Sequence, residues 1–149
     1  MKTKIILQSI FMLALITIVT GYPASTHNHE KLNVHEGSFD SALKYAAENN
    51  KPVFVKTFTE WCGWCKRMDA NTLSDPDVIA YLNEHFVTLK IDAEDGEGPD
   101  FAEKYDAKRY PTILFFNADG EIVHKFRGYK NSRNFLAEAA DALEKYNGQ

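Results

Sequence analysis

Cys62 and Cys65 are the only two cysteines in the 149-residue chain, and two residues separate them. The segment Val53 to Phe58 has the composition of a strand, and the sequence predicts that a helix begins at Cys62. Free backbone N–H groups and the helix dipole stabilise a thiolate at a helix N-terminus. Cys65 follows about one helical turn later on the same face. We therefore predict a redox-active dithiol.

Three other uses of this cysteine spacing are disfavoured by the sequence. A zinc site of this type needs two more ligands at a regular spacing, but His85 and His124 fall in unrelated predicted elements. Covalent haem needs a histidine directly after the second cysteine, where this chain has Lys66. A purely structural disulfide would close too short a loop to stabilise the fold. We therefore expect no metal and no cofactor.

The first residues have the pattern of an export signal. Lys2 and Lys4 precede an apolar run from Ile5 to Val19, and small or polar residues follow. This order is typical of a secretory signal peptide, which we expect over residues 1–21. An uncleaved membrane anchor is the alternative, because about 20 apolar residues would span a bilayer. We expect a periplasmic or secreted mature protein.

The composition is that of a soluble globular protein, with 44% hydrophobic and 26% charged residues. Loss of residues 1–21 removes two lysines and no acid, so the formal charge changes from −4 to −6. A mildly acidic chain without a basic block gives no support for nucleic-acid binding. We therefore do not expect a nucleic-acid partner.

Helical and strand patterns alternate along the rest of the chain. Residues 22–35 are polar and predict a flexible lead-in to a single domain at residues 36–149. Helices are predicted at 38–49, from 62, from 76, at about 101–105 and from about 131, and strands at 53–58, 86–91, 112–116 and 122–126. A hairpin turn is predicted at Asn117 to Gly120. This order predicts an α/β fold in which helices cover both faces of a mixed central sheet.

The chain resembles the thioredoxin superfamily over roughly residues 36–146. The resemblance is carried by Glu60 to Lys66, the preceding Lys51 to Val55, Tyr110 to Thr112, and the turn from Asn117 to Glu121. The segment Thr72 to Val78 further resembles the periplasmic C-terminal domain of the bacterial transmembrane disulfide reductase and related secreted thioredoxin-like proteins. The resemblance implies a thioredoxin fold.

The resemblance also implies roles for individual residues. Cys62 would be the exposed nucleophile and Cys65 the more buried resolving thiol. Pro111 would follow a cis peptide bond and pack against the dithiol. The backbone of Tyr110 would pair with the substrate as an added strand. The implied substrate-binding residues are Trp61, Gly63, Trp64 and Tyr110.

Lys56 departs from the family pattern. Most thioredoxins have a buried aspartate six residues before the first cysteine, where this chain has Lys56, and the usual lysine on the adjacent strand is replaced by Thr88. A cation near the dithiol favours the thiolate, so we expect Lys56 to make the couple less reducing. The alternative is that Lys56 extends its apolar stem to solvent and does not affect the sulfurs.

The expected function is thiol–disulfide exchange on secreted or periplasmic protein disulfides. Reduction is the expected direction, because the resemblance is to domains of a reducing pathway. The chain has no second cysteine pair to recharge the first, so an external electron donor, such as a membrane thiol reductase, is implied. The alternatives are a disulfide oxidase or isomerase with the same residues, and a non-enzymatic thioredoxin-like binding module.

Overall fold

The computed structural model describes residues 30–148, so the predicted signal peptide and residues 22–29 lie outside the described part. The helices are α1 Phe39–Asn49, α2 Gly63–Asn71, α3 Pro76–His85, α4 Gly98–Lys104 and α5 Ser132–Asn147. The strands are β1 Val53–Phe58, β2 Val87–Asp92, β3 Thr112–Phe116 and β4 Ile122–Arg127. No helix between residues 30 and 148 is long and apolar enough to cross a membrane.

The four strands form one mixed sheet in the order β2-β1-β3-β4. β1 is parallel to β2 and antiparallel to β3, and β3 is antiparallel to β4. The predicted fold class is therefore confirmed. α4 begins at Gly98 rather than near Phe101, because Pro99 occupies its first turn, a position that proline tolerates well.

Each face of the sheet has its own hydrophobic core. On one face, α1 and α4 pack against Val53 and Val55 of β1. On the other, α2, α3 and α5 pack against Phe54 of β1 and the neighbouring β3. Side chains alternate between the two faces along a strand. Lys56 therefore lies on the same face as Phe54, which α2 covers.

The local signals in the sequence correctly locate several boundaries. The Ser38 hydroxyl accepts a hydrogen bond from the Ser41 backbone N–H at the start of α1, as expected of an N-cap. The Asn131 side chain caps α5 in the same way. The predicted turn between β3 and β4 is also present, since the Gly120 N–H donates to the Asn117 carbonyl over 3.1 Å.

Part of the predicted flexible lead-in is instead bonded to the sheet. Val34 forms a parallel bridge with Thr88 of β2, and the His35 N–H donates to the Thr88 carbonyl over 2.7 Å. The Asn33 N–H donates to the Asn83 side chain over 2.8 Å. Backbone pairing does not require apolar side chains, so the polar composition gave no sign of it.

Candidate active site

The dithiol lies at the N-terminus of α2, as predicted. Cys62 is the N-cap residue, and it forms a disulfide with Cys65 with an S–S distance of 2.13 Å. The Cys62 Sγ accepts a hydrogen bond from the Cys65 backbone N–H over 3.1 Å. A backbone donor and the positive end of the helix dipole therefore both act on the Cys62 sulfur.

Both cysteines are buried in this oxidised state. The exposed fraction is 5% for Cys62 and 2% for Cys65, so Cys62 is less exposed than the resemblance implied. The reason is local, because the Cys62 side chain turns back to cap its own helix. The assignment of Cys62 as the nucleophile therefore depends on the N–H bonded to its sulfur and not on exposure.

The Tyr110–Pro111 peptide bond is cis, which confirms that expectation. Pro111 is buried, and its carbonyl accepts a hydrogen bond from the Gly128 N–H over 2.8 Å. This bond ties the loop before β3 to the residue that follows β4. The role of Pro111 beside the dithiol stays a prediction.

Trp61 is held by a residue that the sequence did not single out. Its side chain is 68% exposed, and its Nε1–H lies 3.0 Å from each carboxylate oxygen of Glu94. The ring meets that of Tyr110 edge to face, with centroids 6.0 Å apart. Glu94 belongs to the acidic loop after β2, whose composition alone indicates only a solvated segment. The structure therefore adds Glu94 to the residues that position the site.

Trp64 also makes defined contacts with neighbouring side chains. Trp64 is 55% exposed, and its ring lies 6.0 Å from that of Tyr129. The Arg67 guanidinium lies 5.3 Å from the Trp64 centroid and 4.9 Å from the Tyr129 centroid, which is the geometry of a cation–π contact. Gly63, between the cysteines, is exposed.

Lys56 is fully buried and paired. Its Nζ lies 2.5 Å from Asp69 Oδ2, and the other Asp69 oxygen lies 2.9 Å from Lys90 Nζ. We call Lys56, Asp69 and Lys90 the charged triad. The solvent-directed alternative for Lys56 is therefore wrong. The adjacent strand nevertheless supplies a lysine, because the β1–β2 register places Lys90 opposite Lys56 and Thr88 opposite Phe54.

The pKa values of Lys56 and Asp69 are both shifted in the folded protein. Burial lowers the pKa of Lys56, and the hydrogen bond to Asp69 opposes that shift. For Asp69, burial would raise the pKa, but the hydrogen bonds from Lys56 and Lys90 outweigh it and hold the pKa below its usual value. Asp69 lies four residues after Cys65 on α2, so both occupy one face of that helix. The triad therefore places charge about one helical turn from Cys65.

The histidines considered as metal ligands lie apart. His85 ends α3, and His124 lies on β4. The ring nitrogens of His124 already contact carboxylates, with Nε2 2.5 Å from Glu138 and Nδ1 3.2 Å from Asp141. In the part of the chain that the structure describes, no group of three or more His, Cys, Asp or Glu residues could hold a metal ion.

A model of the thioredoxin-like domain family matches residues 39–143, which include every element of the sheet and the dithiol. The chain belongs to this family, and its Cys62 and Cys65 form a disulfide across two intervening residues. The match agrees with the resemblance recognised in the sequence.

Similar proteins span several branches of the family. The chain is 28% identical to the thiol:disulfide interchange protein DsbD of Pseudoalteromonas atlantica over 84% of its own length and 22% of that protein. It is 39% identical to a candidate disulphide-isomerase of Bacteroides thetaiotaomicron, with a TM-score of 0.70 over 78% of this chain and 97% of that one. The oxidised C-terminal domain of Neisseria meningitidis DsbD shares the fold, with 22% identity, 74% and 98% coverage and a TM-score of 0.61. The chain spans only about a fifth of the first curated relatives, 22% and 20%.

Proposed function

We propose that this protein reduces disulfides of other proteins in the periplasm or outside the cell, with Cys62 as the nucleophile and Cys65 as the resolving thiol. The hydrogen bond from the Cys65 N–H to the Cys62 sulfur carries the assignment. A donor fixed at that sulfur stabilises the thiolate, which is the attacking species in thiol–disulfide exchange.

The proposed reaction has two exchange steps. The Cys62 thiolate attacks one sulfur of the substrate disulfide, that S–S bond breaks, and the other substrate sulfur leaves as a thiolate that takes up a proton. Cys65 then loses its proton and attacks the Cys62 sulfur. The mixed disulfide breaks, and the second substrate sulfur leaves and is protonated. Two electrons have passed to the substrate, and the Cys62–Cys65 disulfide has formed.

The cycle closes when an external dithiol returns two electrons and two protons to the Cys62–Cys65 disulfide. The likeness to DsbD, a thiol:disulfide interchange protein, supports a membrane thiol reductase as the donor. A second candidate function runs in the opposite direction, as an oxidase or isomerase with the same residues. The match to the protein disulfide-isomerase of Triticum aestivum supports it, at 23% identity over 105 residues.

Reduction of insulin with dithiothreitol as the electron donor tests the proposal. We expect wild type to accelerate insulin precipitation and a Cys62→Ser/Cys65→Ser double variant not to do so. An inactive wild type would leave only the binding-module alternative. Titration against glutathione or dithiothreitol then separates the directions: a reductase should lie near the thioredoxin value of about −270 mV, whereas a strong oxidant lies near about −120 mV.

We further propose that the charged triad tunes this potential. Lys56→Met removes the buried cation paired with Asp69, one helical turn after Cys65, and leaves Asp69 bonded to Lys90, so the thiolate loses stabilisation and the potential should become more negative. A loss of about 1.4 kcal/mol corresponds to about 30 mV. Asp69→Asn should shift the potential in the opposite direction. Lys44→Met, on the exposed side of α1, is the matched control, and equal potentials in all four proteins would refute tuning by the triad.

A further inference from the structure

The loop that joins α4 to β3 ends at the cis Tyr110–Pro111 bond. It covers residues 105–111, and we call it the cis-proline loop. Its far end is fixed, because the Gly128 N–H donates to the Pro111 carbonyl over 2.8 Å. Within residues 30–148, the Tyr110 backbone itself makes no hydrogen bond, so it is free to pair with a substrate strand. The position of that backbone is therefore set by the contacts of the rest of the loop.

Two cationic side chains of β4 hold the beginning of the cis-proline loop. The Lys125 Nζ donates to the Tyr105 carbonyl over 2.7 Å and to the Asp106 carbonyl over 2.9 Å. The Arg127 Nη2 donates to the same Asp106 carbonyl over 3.0 Å, and it also contacts the Asp106 carboxylate. Cations are favoured beside the last carbonyls of a helix. Both side chains therefore cap the chain where it leaves α4.

The backbone of Asp106 takes a conformation that few residues adopt. Its φ is 47°, in the left-handed region that glycine enters readily and other residues rarely enter. Charge-assisted hydrogen bonds are stronger than those between neutral groups, and the Asp106 carbonyl accepts one from each of the two cations. Lys125 and Arg127 therefore stabilise the turn at which the cis-proline loop begins.

The register of β3 and β4 lets Arg127 join the two ends of the cis-proline loop. Arg127 lies opposite Thr112, which directly follows Pro111. Its side chain meanwhile contacts Asp106, five residues before Pro111. The next residue, Gly128, supplies the backbone bond to Pro111. A short segment at the end of β4 therefore determines the path of the whole loop.

We infer that Lys125 and Arg127 are positioning residues, which hold the cis-proline loop so that the Tyr110 backbone can bind the substrate strand. A loop that is ordered before binding loses less conformational entropy when the substrate arrives. Both cations bond to backbone carbonyls of the loop, so they act on substrate binding and not on the redox potential. This inference rests on the proposed function and adds to it the residues that fix its binding loop.

Loss of these bonds should leave the fold intact. The side chain of Arg127 is 37% exposed and that of Asp106 is 84% exposed, and ion pairs between exposed side chains contribute little to stability. The Thr57 hydroxyl also donates to the Ala107 carbonyl over 3.4 Å, and this bond does not depend on β4. Variants without the two cations should therefore fold, while the cis-proline loop loses part of its order.

Steady-state reduction of insulin, with dithiothreitol as the electron donor, separates binding from chemistry. For the Lys125→Met/Arg127→Met double variant, the KM for insulin should rise about 5-fold, which corresponds to about 1 kcal/mol. Its kcat should stay within about 2-fold of wild type, because the lost interactions act on binding alone. Arg127→Lys keeps a donor for the Asp106 carbonyl and should keep a KM close to that of wild type. The redox potential of the dithiol should match wild type in every variant.

A matched control and a direct measurement of the loop accompany the kinetics. Lys108→Met removes a cation of the cis-proline loop itself, whose ion pair with Glu103 does not involve β4, and it should keep the wild-type KM. Amide hydrogen exchange measured by NMR should be faster over residues 108–110 in the double variant than in wild type or in Lys108→Met. Exchange in α5 should be the same in all three proteins.

Each outcome bears on either the inference or the proposed function. An unchanged KM in the double variant overturns the inference and leaves the proposed function intact. A fall in kcat at unchanged KM, or a shift of the redox potential, places the effect at the dithiol and also overturns the inference. If the double variant does not fold, the single Arg127→Met variant decides by the same criteria, with a rise in KM of about 2-fold or more expected. Failure of wild type to reduce insulin refutes the proposed function itself.

Discussion

A Cys65→Ala variant is expected to accumulate covalent mixed disulfides with its substrate, and a Cys62→Ala variant to accumulate none. In the first variant, Cys62 keeps the helix N-terminus that stabilises its thiolate, so it can still attack a substrate disulfide. The second exchange then cannot occur, because the resolving thiol is absent. Turnover should fall to background in both variants, while only Cys65→Ala holds the substrate covalently.

Non-reducing electrophoresis and mass spectrometry after incubation with insulin measure this difference. The Cys62→Ala/Cys65→Ala double variant controls for non-covalent association, and dithiothreitol should reduce every mixed disulfide and release the substrate. Equal trapping by Cys62→Ala, with none by Cys65→Ala, would reverse the two roles. Exposure alone does not predict this outcome, because the exposed fraction is 5% for Cys62 and 2% for Cys65.

The second large effect concerns stability. Asp69→Asn leaves Lys56 fully buried without its anionic partner. Removal of one member of a buried ion pair costs about 3–5 kcal/mol. Asp69 is 40% exposed, so solvent screens part of that cost. We expect the free energy of unfolding to fall by about 2–3 kcal/mol, measured by urea denaturation.

The combination with Lys56→Met identifies the cause. If the cost of Asp69→Asn comes from the unpaired lysine, the Lys56→Met/Asp69→Asn double variant should recover most of the lost stability, because apolar replacement of a buried pair is often neutral. An Asp69→Asn variant as stable as wild type would show that the buried amine needs no anionic partner.

The pH dependence of stability is an independent test of the ion pairs formed by Asp69. The pKa of Asp69 is held below the ordinary 3.8 in the folded protein, so the unfolded state binds the proton more readily. The stabilisation from this carboxylate is therefore complete above pH 3.8 and is lost as the pH falls through the lower, folded pKa. Asp69→Asn should remove this part of the acid dependence.

The sequence was sufficient for features that depend on neighbouring residues. Ser38 and Asn131 mark helix starts because their side chains bond to N–H groups three residues ahead. The turn at Asn117 to Gly120 is likewise a local device, since Gly120 takes a positive φ of 79°. The dithiol could be predicted for the same reason, because its position at a helix start and the spacing of its cysteines both depend on consecutive residues.

The side-chain contacts around the site that the sequence missed join distant segments. Asp69 looks like a solvated helix residue until the docking of α2 places it above Lys56. Lys90 becomes the strand neighbour of Lys56 only through the register of a parallel pair, which no short turn fixes. The bond between Trp61 and Glu94 spans 33 residues. None of these contacts has a signature in local composition.

The segment Asn33 to His35 has a consequence for aggregation. β2 is an outer strand of the sheet, and open outer strands are templates on which other chains add and form intermolecular sheets. The backbone bond from His35 to Thr88 occupies part of that template. At the opposite edge, β4 carries Lys125 and Arg127, and charge at an edge opposes such growth. Both edges of the sheet therefore carry a feature that opposes pairing with further strands.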